Sequence, residues 1–369
     1  MSTYFDTLKI GDLELPNRIV MPALTRARAS REGVPQPIMR EYYRARASAG
    51  LIISEGTYVN AETCAFEYAP GIYTDAQVEA WKPITEAVHD EGGRIFCQLW
   101  HCGRAGAAAL LGGQAPLSPS GVNDDPGMVD VYAGLANGSY AKIMATPSRA
   151  MTLDDIHRTI ADFGRAAARA KAAGFDGVEI HAANGYLPHQ FLSGVLNTRE
   201  DAYGGSLENR ARFLTESFAA IAESFAPGRI GIRVSPYAAY NNTREADPHA
   251  TYSDLAQRMQ GLGAGYMHFA DMNGWFGNPA RDRILAALRP HFAGPIIGNG
   301  GLTPEQGSDL LATGQVQAVA FGRGFLANPD LVTRIAKRAP LADPRPEGWY
   351  AAGALGYTDY PALAETQPA

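Results

Sequence analysis

Three residues in the segment HAANGYLPHQFL form the densest chemical constellation in the chain: His181, Asn184 and Tyr186. His181 and Asn184 stand three apart, directly after GVEIH, a run that reads as a strand. Both carry N–H donors that can converge on one oxygen. Paired donors suit an oxyanion, or the carbonyl or nitro oxygen of a substrate. Tyr186 follows two positions later; a phenol with pKa near 10 is protonated at neutral pH and can act as a proton donor. The same spacing also fits a capped loop whose His and Asn satisfy local backbone groups, and the three residues alone do not decide between these readings. A zinc site would need a third ligand at fixed spacing, which is missing, and His189 reads as structural.

The elements that must position these residues alternate between short apolar runs and longer helical patterns. Eight runs qualify as strands: Arg18–Leu24, Gly50–Ser54, Arg94–Leu99, Gly177–His181, Ile230–Val234, Tyr266–Phe269, Pro295–Gly298 and Ala318–Phe321. Continuous Ile- and Val-rich runs fit parallel strands covered on both faces. The clearest helix spans about Leu153 to Ala173, with Thr152 and Asp155 in a capping-box pattern and Gly174 as its stop. A second, Glu208 to Phe225, leads into IGIRV in the same way. Helix followed by strand, repeated, predicts an α/β fold: one (β/α)8 TIM barrel over residues 1–369.

Two segments break the rhythm. Thr7 to Asn17, with Gly-Asp at its turn, predicts a hairpin closing the barrel bottom. Residues 105–149, rich in Gly, Pro, Ser and Asn, follow the third strand as an extended insertion. They lie on the face where barrel sites form, and read as a lid or binding loop or as a mobile surface loop.

Barrel strands deliver their ends to one face. Those ends are Thr25, Gly56, Gln98, His181 with Asn184, Arg233, Asp271, Asn299–Gly300 and Gly322–Arg323. There is no carboxylate cluster for a metal and no Ser-His-Asp ordering, so the chemistry points to a bound organic cofactor. GNGG and FGRG follow the seventh and eighth strands, the usual phosphate site of a barrel. Glycine lets backbone N–H groups approach a phosphate closely, and Arg323 adds a bidentate cation. GRGFLA, from Gly322, also matches a loose dinucleotide pattern, but no strand with an acidic end follows it. A mononucleotide with one phosphate fits better than a full dinucleotide.

Composition narrows the partners. Of 369 residues, 46% are apolar and 19% charged, a globular balance. The net charge of −6 is spread without basic blocks, which argues against nucleic acid or an anionic membrane as partner. No apolar run approaches 18 residues and no signal peptide is visible at the N-terminus. Cys64, Cys97 and Cys102 form neither a disulfide framework nor a zinc or iron–sulfur set, so a reduced, cytoplasmic setting is expected.

Taken together, LPNRIVMPALTR, LIISEGT, CQLWHCGRAG, GFDGVEIHAANGYLPHQFLS, NTREDAYGGSLENRARF, IGIRVSP, FGRGFLANPDL and GYTDYP resemble the Old Yellow Enzyme family of FMN-dependent reductases, from about Phe5 to Pro361. The pattern is similar to the subgroup of N-ethylmaleimide and pentaerythritol tetranitrate reductases. The resemblance implies bound FMN, NADPH or NADH as reductant, and an electrophilic alkene such as an enone, maleimide or nitroalkene as substrate, with nitro compounds and nitrate esters as further substrates.

It also implies roles. Ala23, Leu24, Thr25, Gly56, Gln98, His181 and Arg233 would contact the flavin ring, and Asn299, Gly300, Gly322 and Arg323 its phosphate. His181 and Asn184 would bind the electron-withdrawing oxygen, and Tyr186 would protonate one alkene carbon while flavin N5 delivers hydride to the other. Thr25, Phe66, Trp100 and Tyr357 would wall the substrate pocket. The chain departs from the family at Ala23 and Gly324, where proline is common, and at Phe66, where tyrosine is common. A monomer or weak homodimer is expected. The alternatives are a flavin-free barrel enzyme acting on a phosphorylated small molecule, and a flavin-binding sensor or scaffold.

Overall fold

The computed structural model describes residues 3–363. Eight parallel strands close on themselves: Ile19–Met21, Leu51–Ile53, Ile95–Trp100, Gly177–Ala182, Ile230–Val234, Tyr266–Ala270, Ile296–Asn299 and Ala318–Ala320. Each pairs with the next in sequence, and the eighth pairs with the first through Val319–Ile19 and Ala320–Val20. The fold is therefore a (β/α)8 barrel. All eight expected strands are present; Ile230–Val234 matches at both ends and the other ends move by at most three residues, because ladder pairing stops where the chain turns into a loop.

Helices cover the barrel wall. Leu153–Ala172 starts at Thr152, whose Oγ1 accepts from the Asp155 N–H at 3.1 Å while an Asp155 carboxylate oxygen accepts from the Thr152 N–H at 2.9 Å. Gly174, at φ 88°, turns the chain toward the fourth strand. The next helix runs Leu207–Ala222 from a Ser206 cap, ending short of Phe225. Past the Glu223 cap the chain enters a turn in which the Ser224 N–H donates to the Ile221 carbonyl at 2.9 Å, so the helix ends before the expected position.

At the bottom, Leu8–Ile10 and Leu13–Leu15 form the antiparallel hairpin. Its Leu8, Ile10, Leu13 and Leu15 join Phe96, Tyr266 and Ile297 in one apolar cluster that plugs the barrel floor. The turn needs Gly11, at φ 58°, because a Cβ there would lie 2.6 Å from the Gly228 carbonyl oxygen. Among the described residues, no helix is long and apolar enough to cross a membrane.

The insertion at 105–149 folds into defined structure rather than a bare loop. Val131–Gly134 pairs antiparallel with Tyr140–Ile143. Its root is fixed by the Arg104–Asp125 ion pair, at 2.6 Å with both side chains buried. Arg104 also donates to the Asn241 carbonyl at 2.9 Å, tying the insertion to the loop after the fifth strand.

Candidate active site

A cavity of about 560 Å³ opens at the C-terminal ends of the strands. Its lining brings together most of the expected residues: Ala23, Leu24 and Thr25 from the first strand's end, Gln98 and Trp100 from the third, and His181, Asn184 and Tyr186 from the fourth. Phe66, Arg233, Asn299, Gly322 and Arg323 line it as well.

His181 is buried, and its ring meets the Tyr186 ring edge to face at 4.9 Å. Burial, reinforced by Arg233, holds the imidazole well below its ordinary pKa. It is therefore neutral at working pH, with one N–H donor. Asn184 sits at φ 57°, a left-handed conformation that asparagine tolerates. Its N–H donates to Ser235 Oγ at 2.8 Å and its carbonyl accepts from Asn241 Nδ2 at 2.9 Å. Both backbone groups are thus fixed and the side chain is free to act. Gly185 follows at φ 74°, where a Cβ would come within 2.5 Å of Thr243 Oγ1. Burial, with the fields of Cys102, Tyr350 and Asp130, raises the Tyr186 phenol well above its ordinary pKa, so it keeps its proton. His189 is structural: its Nδ1 accepts from the Gly185 N–H at 3.0 Å and its Nε2 contacts the Tyr252 hydroxyl at 3.0 Å.

The first strand's loop is held from below. The Glu55 carboxylate accepts from the Arg26 and Ala27 N–H groups at 3.0 and 3.2 Å, and Arg233 donates to the Ala23 carbonyl at 3.2 Å. Trp100 packs edge to face on Tyr186 at 4.9 Å and lies 6.0 Å from the Phe66 ring. Phe66 in turn stacks on Tyr132 of the insertion at 4.9 Å.

Three expected contacts fall outside the lining. Gly56 does not reach the cavity surface; its lack of a side chain admits the Trp100 ring, which a Cβ would approach to 2.4 Å. Gly300 also lies outside, turned against Asp271, while its neighbours Asn299 and Gly301 line the cavity. Tyr357 is fully buried and stacks on Tyr42 at 4.0 Å, with the Arg28 guanidinium 4.4 Å from its ring. The C-terminal segment lines the cavity with Leu341–Pro344, Trp349 and Tyr350 instead, Tyr350 lying 5.5 Å from Phe66. Gly324 belongs to a helix, Gly322–Ala327, in which a Cβ would meet Leu331 at 3.0 Å.

The sequence reading did not single out Tyr240, which also lines the cavity and donates to Asp130 at 2.6 Å, nor its neighbour Asn241. Their signal was position: both follow the fifth strand. Tyr350 had only its place beside Trp349 in a glycine-bearing segment.

The polar atoms around this cavity fit a large planar heterocycle. Arg233 Nε, His181 Nδ1, Asn184 Oδ1 and Trp100 Nε1 are buried without a protein partner. Each such group costs about 1–3 kcal/mol unless a ligand satisfies it. One end of the cavity is aromatic, and the other is lined by Gly301, Gly322, Arg323 and Gly324.

Comparison with known proteins decides the family. The description NADH:flavin oxidoreductase / NADH oxidase matches residues 3–342. The chain belongs to this family. It is 40% identical to the putative 12-oxophytodienoate reductase 11 of Oryza sativa subsp. japonica, over 96% of each chain. Morphinone reductase in complex with tetrahydroNAD superposes with a TM-score of 0.94 at 40% identity, covering all of both chains. The Old Yellow Enzyme homologue of Zymomonas mobilis gives 0.91 at 40% identity, over 98% of this chain and all of the other. This NADH:flavin oxidoreductase is thus an Old Yellow Enzyme relative, an enzyme that uses FMN with a reduced nicotinamide as electron donor.

Proposed function

We propose that this oxidoreductase reduces the C=C bond of alkenes activated by a carbonyl, imide or nitro group, with nitro compounds and nitrate esters as further acceptors. Bound FMN supplies the hydride. Ala23, Leu24, Thr25, Gln98, His181 and Arg233 hold the ring, and Asn299, Gly322 and Arg323 hold the phosphate.

Everything else falls to the chain's own groups. Neutral His181 and the side chain of Asn184 present donors to the substrate's electron-withdrawing oxygen. In a buried cavity such donors stabilise charge that develops there, and losing one costs about 10²–10³ in rate. Tyr186 holds a proton next to them. The observation that carries the reading is this juxtaposition: a buried phenol with a raised pKa, packed at 4.9 Å against a buried imidazole with a lowered one. Phe66, Trp100 and Tyr350 form an aromatic slot, Tyr240 adds a polar edge, and together they exclude water from the transferred hydrogen.

One cavity serves reductant and substrate in turn, so the kinetics are ping-pong. The insertion, packed over Phe66 through Tyr132, forms the outer wall and is the candidate lid. The thiols of Cys64 and Cys97 are pushed up to about 12 by burial, so they are poor nucleophiles; the three unpaired cysteines suit a reducing cytoplasmic setting. A monomer or weak homodimer is expected by light scattering.

The deciding experiment is a spectrum of the purified protein, bleaching by NADPH or NADH, and recovery on adding 2-cyclohexenone or N-ethylmaleimide. Bleaching without recovery by any activated alkene would reject the reading.

A further inference from the structure

Below the cavity floor lies a buried polar cluster of which the proposed mechanism uses only Gln98. Glu179 stands two residues before His181 on the fourth strand, so both side chains enter the barrel, Glu179 one layer deeper. It is fully buried. One carboxylate oxygen accepts from Gln98 Nε2 at 2.7 Å. The other takes His268 Nδ1 at 2.8 Å and the Tyr266 hydroxyl at 3.1 Å. Gly231, between them on the fifth strand, is what lets Tyr266 cross: a Cβ there would sit 2.0 Å from the tyrosine ring.

Burial opposes a charge on Glu179, yet the His268 and Gln98 donors and the field of Arg233 outweigh it and hold the group ionised. Burial keeps His268 from taking up a second proton. Glu179 thus places a carboxylate one strand layer below Arg233, whose register partner is His181. A carboxylate only accepts hydrogen bonds, so Gln98 must turn its amide nitrogen down to Glu179. Its carbonyl oxygen is then the atom left for the cavity, and among the described residues no group donates to it.

We propose that Glu179 is a positioning residue for the cofactor: it locks the Gln98 amide so that the cavity floor offers an acceptor at Gln98 beside a donor at Arg233. That pair complements the C2=O and N3–H edge of a flavin's pyrimidine ring, and it rests on the flavin-binding reading of the same cavity. Glu179 also offsets part of the Arg233 charge, which restrains how strongly the site favours the reduced, negatively charged flavin.

The test uses apoprotein and Glu179→Gln, a substitution that keeps the shape and removes the charge. Flavin affinity is read by fluorescence quenching with FMN and with FMN methylated at N3, and the midpoint potential of bound FMN by spectroelectrochemistry. The parent is expected to prefer FMN over the methylated form by about tenfold or more, the worth of one buried hydrogen bond. In Glu179→Gln this preference shrinks, because Gln98 is free to reorient, and the midpoint potential moves positive, because Arg233 is no longer offset. Equal binding of both flavins by the parent overturns the proposal even if the variant does not fold. An unchanged preference and potential in a folded variant overturn it as well. If the parent binds neither flavin, the reading of the cavity itself fails.

Discussion

Asn241 holds Asn184 by its backbone: the Nδ2 of one donates to the carbonyl of the other at 2.9 Å, and both residues occupy left-handed conformations, at φ 52° and 57°. The Asn241 Oδ1 accepts from the Asp130 N–H at 2.8 Å. One side chain thus joins the insertion to Asn184, the residue proposed to bind substrate.

Asn241→Ala removes both bonds. At about 1 kcal/mol for each buried hydrogen bond, kcat/KM for an enone is expected to fall roughly tenfold or more. FMN affinity should not change, since the flavin contacts are untouched. Steady-state rates and a flavin titration on the same preparation check this; weakened FMN binding would contradict it.

Tyr186→Phe should leave flavin reduction by NADPH intact and slow substrate reduction by about 10²–10⁴, the usual worth of a positioned general acid. The pH dependence follows from the direction of the shift. The folded phenol titrates above its ordinary range, so the proton is present at all lower pH and is lost only as pH rises through that higher value. The parent's substrate-reducing half-reaction should stay level through about pH 10, where a free phenol ionises. Rapid-mixing measurements showing a fall centred near pH 10 would contradict the buried setting.

Tyr350 and Tyr357 should behave oppositely. Tyr350→Ala opens the pocket wall; it should raise KM and change the ranking of alkene substrates with little effect on Tm. Tyr357→Ala removes a ring stacked on Tyr42 and covered by Arg28. Large-to-small changes of this kind cost about 3–5 kcal/mol, so a drop of several degrees in Tm is expected before any change in selectivity.

Glu245 supplies a stability test far from the chemistry. Burial pushes its carboxyl up to about 8, against the weaker pull of Arg210, and one of its oxygens has no partner. Between about 4.5 and 8 the unfolded chain has released this proton while the folded chain still holds it. Raising pH through that window therefore favours unfolding. Glu245→Gln mimics the protonated form, so its Tm should exceed the parent's at pH 8 and match it near pH 4.5. A constant difference across the window would show that Glu245 ionises normally.

Strand ends were legible in the sequence because a barrel strand is a local signal: an apolar run with a turn after it. The rule that such ends share one face then gathered Thr25, Gln98, His181, Asn184 and Arg233 without knowledge of any long-range contact. Tyr350 escaped because its place is set by distant partners. Arg26 and Arg28 donate to the carbonyls of Gly348 and Trp349, and no spacing rule connects residue 26 to residue 349. Tyr357 was assigned to the pocket through its motif; the arginine pair draws it inward instead. Gly56 was read from its strand-end position, but its missing side chain serves the neighbouring Trp100 ring.

The arginine clasp has a consequence for how the enzyme is made. The loop after the first strand emerges early in synthesis, yet Arg26 and Arg28 find most of their acceptors at Gly348, Trp349, Gly353, Leu355 and Gly356. Until those carbonyls arrive, two guanidinium groups stay hydrated and the aromatic wall is missing. The pocket wall at Tyr350 therefore depends on the docking of a segment 322 residues downstream of the arginines that hold it.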